Sequence, residues 1–235
     1  MRTIILTAAF AALTVSQSAG TASDAPLVAR NLVTGSSSHV ELANTGSRAA
    51  TAWSIAITTK NPNGGIHRVI HTSDAYLAEV TRGLPRSPEH LDWIRPGQSR
   101  QIPLDPQPAD ASVQVFAVVL DDATAIGDPQ AIASIFEHRA AERDSLKRVV
   151  DAFQSVLAAK KGTAALEDLR TRLRRAPETP ADKEPTPERS AREAVDQFLK
   201  QAAQNEDQAD ASLRQYAAFV QRQYDLAVKH AQPKM

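Results

Sequence analysis

The sequence predicts an α+β protein, an N-terminal antiparallel β-sandwich of seven strands followed by a C-terminal helical hairpin or small bundle. Three observations carry that expectation. From Pro26 to Asp128 apolar and polar residues alternate in short runs broken by turn residues, which is how paired strands read. At Asp128-Pro129 the spacing of apolar residues changes to three and four, the helical period. And the runs His39 to Ala43 and Ala50 to Ile57 flank an Asn44-Thr45-Gly46 turn, with Trp53 in the second run, the pattern of a β-hairpin.

Residues 1–23 read as a secretory signal peptide. Arg2 supplies the positive start, Ile4 to Val15 is apolar except for Thr7 and Thr14, and small residues follow at Ser16, Ser18, Ala19, Gly20, Ala22 and Ser23. Read as a membrane anchor instead, twelve residues would span only about 18 Å as a helix, against a hydrocarbon core of ~30 Å. No later stretch approaches that length, so no membrane span is expected after signal cleavage. The chain has no cysteine. That closes lipidation at a new N-terminal Cys, disulfide stapling, thiolate catalysis and Cys-ligated zinc. An exported chain without disulfides is expected to be periplasmic or secreted, and bacterial. Lys and Arg number 27 against 27 Asp and Glu, and a net charge of zero gives no general pull toward nucleic acid.

In the sandwich, residues 24–128, strands are expected at about 27–33, 38–44, 51–58, 66–73, 98–104, 112–121 and 123–127. Asn, Gly and Pro between them supply positive φ or a fixed φ without a donor, as at Asn61-Pro62-Asn63-Gly64-Gly65 and Pro96-Gly97. Seven strands in about a hundred residues is the immunoglobulin-like count. Trp53 shares a strand face with Ile55 and Ile57 and is expected in the core. In the strand 112–121, Val113, Val115, Ala117 and Val119 fall on one face and Phe116, Val118 and Leu120 on the other. It is therefore expected to be central, with a helix over its outer face.

Behind Asp128, a good N-cap, and Pro129, a good first helical residue, Ile132, Ile135, Phe136, Leu146, Val149, Val150, Phe153, Val156 and Leu157 make an apolar stripe. The turn from His138 to Arg143, polar apart from Ala140 and Ala141, is expected to be solvated on most sides. Gly162 ends this helix, and Leu166, Leu169 and Leu173 form a second, completing a helical region over 129–175. Residues 176–188, with four prolines and four acidic residues, read as an extended linker. A C-terminal helix over 189–235, starting at about Pro187 and running to His230, carries a stripe from Val195 to Val228 that weakens around Asn205 to Asp210. Antiparallel pairing of the helices is the simplest account, and self-association of the C-terminal helix as a coiled-coil dimer is its competitor.

The segments HVELANTGSRAATAWSIAI, IRPGQSRQIPL and VQVFAVVLDDATAIGD resemble the turn and hairpin pattern of bacterial Ig-like sandwiches of the CARDB and fibronectin type III kind, over about residues 26–128. The run DDATAIGDPQAIASIFEHRAAERDSLKRVV is similar to the junction at which such a sandwich continues into a helix in exported bacterial proteins. The resemblance implies an extracytoplasmic interaction or structural role and brings no catalytic residues. The chain departs from the pattern at Asp122-Ala123, where Asp-Gly is usual, which questions a tight two-residue turn.

Candidate chemistry is sparse. His67 and His71 lie four apart on an expected strand, about 13 Å from each other, too far to share a metal without a bend. His90, Asp74 and Asp92 are the residues that could join them. Asp121, Asp122 and Asp128 match no calcium-binding spacing, and turn formation and helix capping account for them. No nucleophile, metalloprotease or phosphate-loop motif occurs. No metal, cofactor or enzymatic activity is expected. Lys160, Lys161, Arg170, Arg172, Arg174 and Arg175 form a basic cluster without interleaved aromatics, read as solvated helix ends or, alternatively, a polyanion site. The 74–97 segment, expected as the longest loop, carries Tyr76, Leu91 and Trp93 as candidate ligand or partner contacts, or as a cover for an open sheet edge. The expectation is an exported interaction or scaffold protein whose partner is another envelope protein. The alternative is saccharide or small-ligand binding through the 74–97 loop.

Overall fold

The computed structural model of the chain describes residues 4–6, 26–34, 37–60, 63–82, 92–103, 111–174 and 186–234. Its elements in chain order are β1 (Ile4–Leu6), β2 (Leu27–Thr34), β3 (Ser37–Asn44), β4 (Ala50–Lys60), β5 (Ile66–Asp74), α1 (Ala75–Arg82), β6 (Ser99–Pro103), β7 (Ser112–Leu120), β8 (Ala125–Gly127), α2 (Pro129–Ala159), α3 (Gly162–Arg174), α4 (Pro187–Ala202) and α5 (Glu206–Lys229). The described residues fall into two compact units. The first lies within Met1–Ala78, Ser87–Glu137 and Gln232–Met235, and the second within Glu79–Arg86 and His138–Ala231.

In the first unit β2 to β8 form where alternation and turn residues place them. They build two antiparallel sheets, one in the order β1-β5-β4-β7-β8 and the other β2-β3-β6. Leu27, Val40, Leu42 and Ile102 of the smaller sheet share an apolar core with Trp53, Ile55, Val118 and Leu120 of the larger. Trp53 is 1% exposed, as its strand face predicts.

Strand β7 is central, but its faces are not the ones that strict alternation assigns. Opposite β4 the register runs Val118↔Trp53, Ala117↔Ser54, then Val115↔Ile55, so Phe116 is an extra residue. A bulge of this kind reverses the alternation. Val113 and Val115 therefore join Val118 and Leu120 over the inter-sheet core, while Ala117 and Val119 face the other way. There, with Ala52, they meet Ile135 and Phe136 from the start of α2.

The turn from β7 into β8 answers the Asp122-Ala123 question. The Ala123 N–H donates to the Leu120 carbonyl (3.0 Å) and the Leu120 N–H to the Thr124 carbonyl (2.8 Å), while Ala123 has φ +67°. This is a three-residue loop, a tight turn closed by a left-handed residue. Arg48 pairs with Asp121 at 2.9 Å and also with Asp122. Alanine in that conformation costs about 1–2 kcal/mol, and glycine would lose part of the gain to unfolded-chain entropy. Ala123→Gly is thus expected to raise stability by about 0.5–1 kcal/mol, read as a higher urea midpoint at unchanged slope. At the far end of β8 a Cβ on Gly127 (φ +127°) would lie 2.2 Å from the Phe116 carbonyl oxygen. Asp128 then caps α2, its Oδ1 accepting the Ala131 N–H at 2.9 Å.

The second unit is helical. Leu146, Val149, Val150, Phe153 and Val156 of α2, Leu166, Leu169 and Leu173 of α3, Val195 of α4 and Leu213 and Val220 of α5 are buried. Tyr216 is the aromatic centre, its ring 5.9 Å from Phe153, 6.0 Å from Phe198 and 5.9 Å from Phe219. Burial, with the charge of Glu193, pushes its hydroxyl up to about 12.

Three expectations change here. The His138–Arg143 turn is not wholly solvated: Arg139 is 2% exposed, and its guanidinium donates to the His230 carbonyl at the end of α5 (3.5 Å), where a cation also suits the helix dipole. The single C-terminal helix is two helices, broken at Ala203–Asn205, with the Asn205 side chain capping α5 through the Gln208 N–H (3.0 Å). The break falls where the apolar stripe weakens. Of the expected linker, residues 176–185 lie outside the described residues. Thr186, Pro187 and Glu188 instead start α4, with Thr186 accepting the Arg189 N–H at 3.3 Å. Glu188 is buried and accepts from Ser145 and from Arg148 (2.9 Å).

Glu79 of α1 supplies a pH test within this unit. Its Oε2 is buried and, among the described residues, has no hydrogen-bond partner. Burial raises its carboxyl above the ordinary 4.5, partly opposed by Lys229. A raised folded value means that ionisation opposes folding. The native state loses stability as pH rises from the unfolded value through the folded one. Glu79→Gln is therefore expected to be more stable than the parent at pH 7 and not at pH 4, as thermal melts at the two pH values would show.

Candidate functional site

The surface that the fold leaves open is built on β5. This strand pairs with β4 along its whole length, from Ala52↔Asp74 to Lys60↔Ile66, without a register shift. Directly opposed residues project to one face. Because Ile55 lies in the inter-sheet core and opposes His71, His67, Val69 and His71 point to the inner side. Ile66, Arg68, Ile70 and Thr72 point outward, where Ile66 is 73% and Ile70 38% exposed. The Arg68 guanidinium lies 4.3 Å from the centroid of the Phe116 ring, a cation–π contact that keeps its charge at the surface. The bulge that turns β7 also aims Phe116 here. Thr72 meets the Ser54 hydroxyl at 3.2 Å.

The free edge of β5 is partly occupied. Ile4, Ile5 and Leu6 of β1 lie antiparallel to it, opposite Thr72, His71 and Ile70. Among the described residues no strand lies beside the outer edge of Ile66–Val69.

The 74–97 segment is not the continuous loop expected of it. Asp74 Oδ1 accepts the Leu77 N–H at 2.9 Å and caps α1, a signal legible as Asp74 followed by Tyr76, Leu77 and Val80 at helical spacing. Of the candidate contacts in that segment, Tyr76 is 4% exposed and Leu91 lies outside the described residues. Trp93 is half-buried against the inter-sheet core, its Nε1 buried with no hydrogen-bond partner among the described residues. Its neighbours are tied down. Ile94 and Ala50 exchange both backbone hydrogen bonds (3.0 and 2.9 Å), and Arg100 donates to Asp92 Oδ1 at 2.8 Å.

His67 is exposed and His71 half-buried, and His90 lies outside the described residues. Among the described residues no three His, Asp or Glu side chains gather to hold a metal ion. Within the basic cluster, Lys160 and Arg172 both pair with Asp168 (3.0 and 3.1 Å) and Arg170 with Asp196 (2.8 Å). The helical unit holds a cleft of about 90 Å³ among Glu142, Leu146, Ser190, Tyr216 and Gln223, small beside the ~300–1,000 Å³ of most small-molecule sites. No described helix is long and apolar enough to cross a membrane.

Ile66, Arg68 and Ile70 are not singled out by any sequence motif. The signal was present in two isoleucines on the polar side of an alternating strand, next to the histidines that drew attention. Compared with known proteins, the chain matches no family model, no curated protein and no solved structure.

Proposed function

We propose that this chain is an exported, non-enzymatic interaction or scaffold protein of the bacterial envelope, whose Ig-like unit presents the β5 surface to another envelope protein. The observation that carries the reading is the pair of exposed isoleucines on the outward face of β5, flanking a surface arginine. Exposed aliphatics grouped on one strand face mark interaction sites more often than isolated ones do. The apolar start of the chain and the absence of cysteine support export. β1 apart, the strands divide into four and three, which supports the Ig-like assignment. The face of α5 that carries Leu213, Val220 and Ala227 is buried within its own unit, so self-association through that helix would need another face.

A second reading, saccharide or small-ligand contact through the 74–97 segment, is favoured by one observation, the buried indole N–H of Trp93 without a partner among the described residues. Capture from envelope extract, set beside a glycan and metabolite thermal-shift panel, separates the two. The expected result is a captured envelope protein that Ile66→Asp with Ile70→Asp abolishes at unchanged Tm, with no panel compound moving the Tm by more than about 1 °C, since saturating ligand stabilises by mass action. A panel hit lost in Trp93→Ala, with capture unaffected by the β5 changes, would reverse the assignment.

A further inference from the structure

We propose that the outer edge of β5 is a strand-acceptor site. An extended aliphatic segment of a partner adds to it antiparallel, along the edge where Ile4–Leu6 pairs in this chain. The inference rests on the interaction reading above and names the partner's chemistry.

The occupant is visible in kind. Ile4-Ile5-Leu6 sits on the edge with Ile4 opposite Thr72 and Leu6 opposite Ile70, so alternate residues of an added strand lie beside the outward face of β5. Among the described residues the site is longer than this occupant, because β5 has nine residues and β1 three. Natural sheet edges are usually blunted by proline, lysine, bulges or brevity. Ile66–Asp74 contains no proline or lysine and shows no register shift against β4, whereas the opposite edge of the sheet, β8, has three residues. With residues 1–23 removed as a signal, no strand among the described residues would lie beside this edge.

The register also states what the partner should look like. Continued in the direction of β1, a strand would place its next outward residues opposite Arg68 and Ile66. Aliphatic side chains match Thr72, Ile70 and Ile66, and a carboxylate matches the surface guanidinium of Arg68. The expected segment reads Ile-x-Leu-x-Glu-x-Ile, its main chain supplying affinity and its alternate side chains specificity.

The test uses the full chain. Ile5→Pro removes a backbone donor from β1 and opens the edge, and Leu6→Asp does so by a different route. A labelled peptide Thr-Ile-Thr-Leu-Thr-Glu-Thr-Ile-Thr is titrated against each, with hydrogen exchange of the β5 amides as a second readout. The expected result is at least tenfold tighter binding to either variant than to the parent, with new protection in Ile66–Thr72. Arg68→Glu should weaken the Glu peptide fivefold or more and favour its Lys counterpart. Equal affinity for parent and both variants, or protection elsewhere than β5, overturns strand addition. If capture of an envelope protein still depends on Ile66 and Ile70 in that event, the interaction reading stands without it. If that capture is also absent, both fall.

Discussion

Asn44→Asp is expected to cost about 3 kcal/mol of stability at neutral pH, the penalty of leaving several buried polar groups unsatisfied. Asn44 is 2% exposed. Its Nδ2 donates to the carbonyls of Arg48 (2.8 Å) and Ile94 (2.7 Å), and its Oδ1 accepts the Gly46 N–H (2.9 Å). Its backbone N–H donates to the Gln98 carbonyl and its carbonyl accepts the Gly97 N–H, both at 2.9 Å. One amide thus joins the turn after β3 to the segment that leads into β6. A carboxylate of the same shape keeps the acceptor, loses both donors and sets a charge against two carbonyl oxygens. Such a group has a raised folded pKa, so its cost is largest above that value and shrinks as acid restores a donating O–H. Urea unfolding should show a deficit at pH 7 that narrows toward pH 4. A loss under about 1 kcal/mol at pH 7 would mean that water replaces the clamp.

Trp53→Ala is expected to cost more, about 3–5 kcal/mol, because truncating a buried aromatic adds a cavity to the lost transfer energy. Trp53 contributes to the core shared by both sheets and opposes Val118 across the β4–β7 pair, so the cavity would open between layers that cannot easily collapse. The chain has two tryptophans, and Trp93 is only half-buried. Trp93→Ala should therefore cost clearly less. Denaturation curves of the two variants at matched slope compare them directly. Equal losses would place the packing centre nearer the 92–94 segment than the inter-sheet core.

Much of the fold was legible because its signals are local. Alternation over five to ten residues, Asn and Gly at turns and the Asp128-Pro129 start of α2 act within a few residues of where they are read. The Asn205 break was half-legible, as a weak stripe without the recognition that Asn is a capping residue. Helix α1 was missed although Asp74 announced it, because the prolines and the length of the 74–97 stretch read as loop. The candidate surface was the least legible. Whether Ile66 and Ile70 are covered depends on what lies over the outer face of the larger sheet, where the start of α2 packs against Ala52, Ala117 and Val119.

By itself the sequence determined the succession of strands β2 to β8 and the switch to helices, along with the burial of Trp53, since each follows from side-chain periodicity along one segment. The tertiary structure alone decided which faces those segments show. The extra residue at Phe116 sends Val113 and Val115 inward and Ala117 outward, and the buried Arg139 donates to the His230 carbonyl at the end of α5. The physical reason is common to both: a bulge or a buried cation is defined by its partner across the chain, and pairing between distant residues leaves no period in either one.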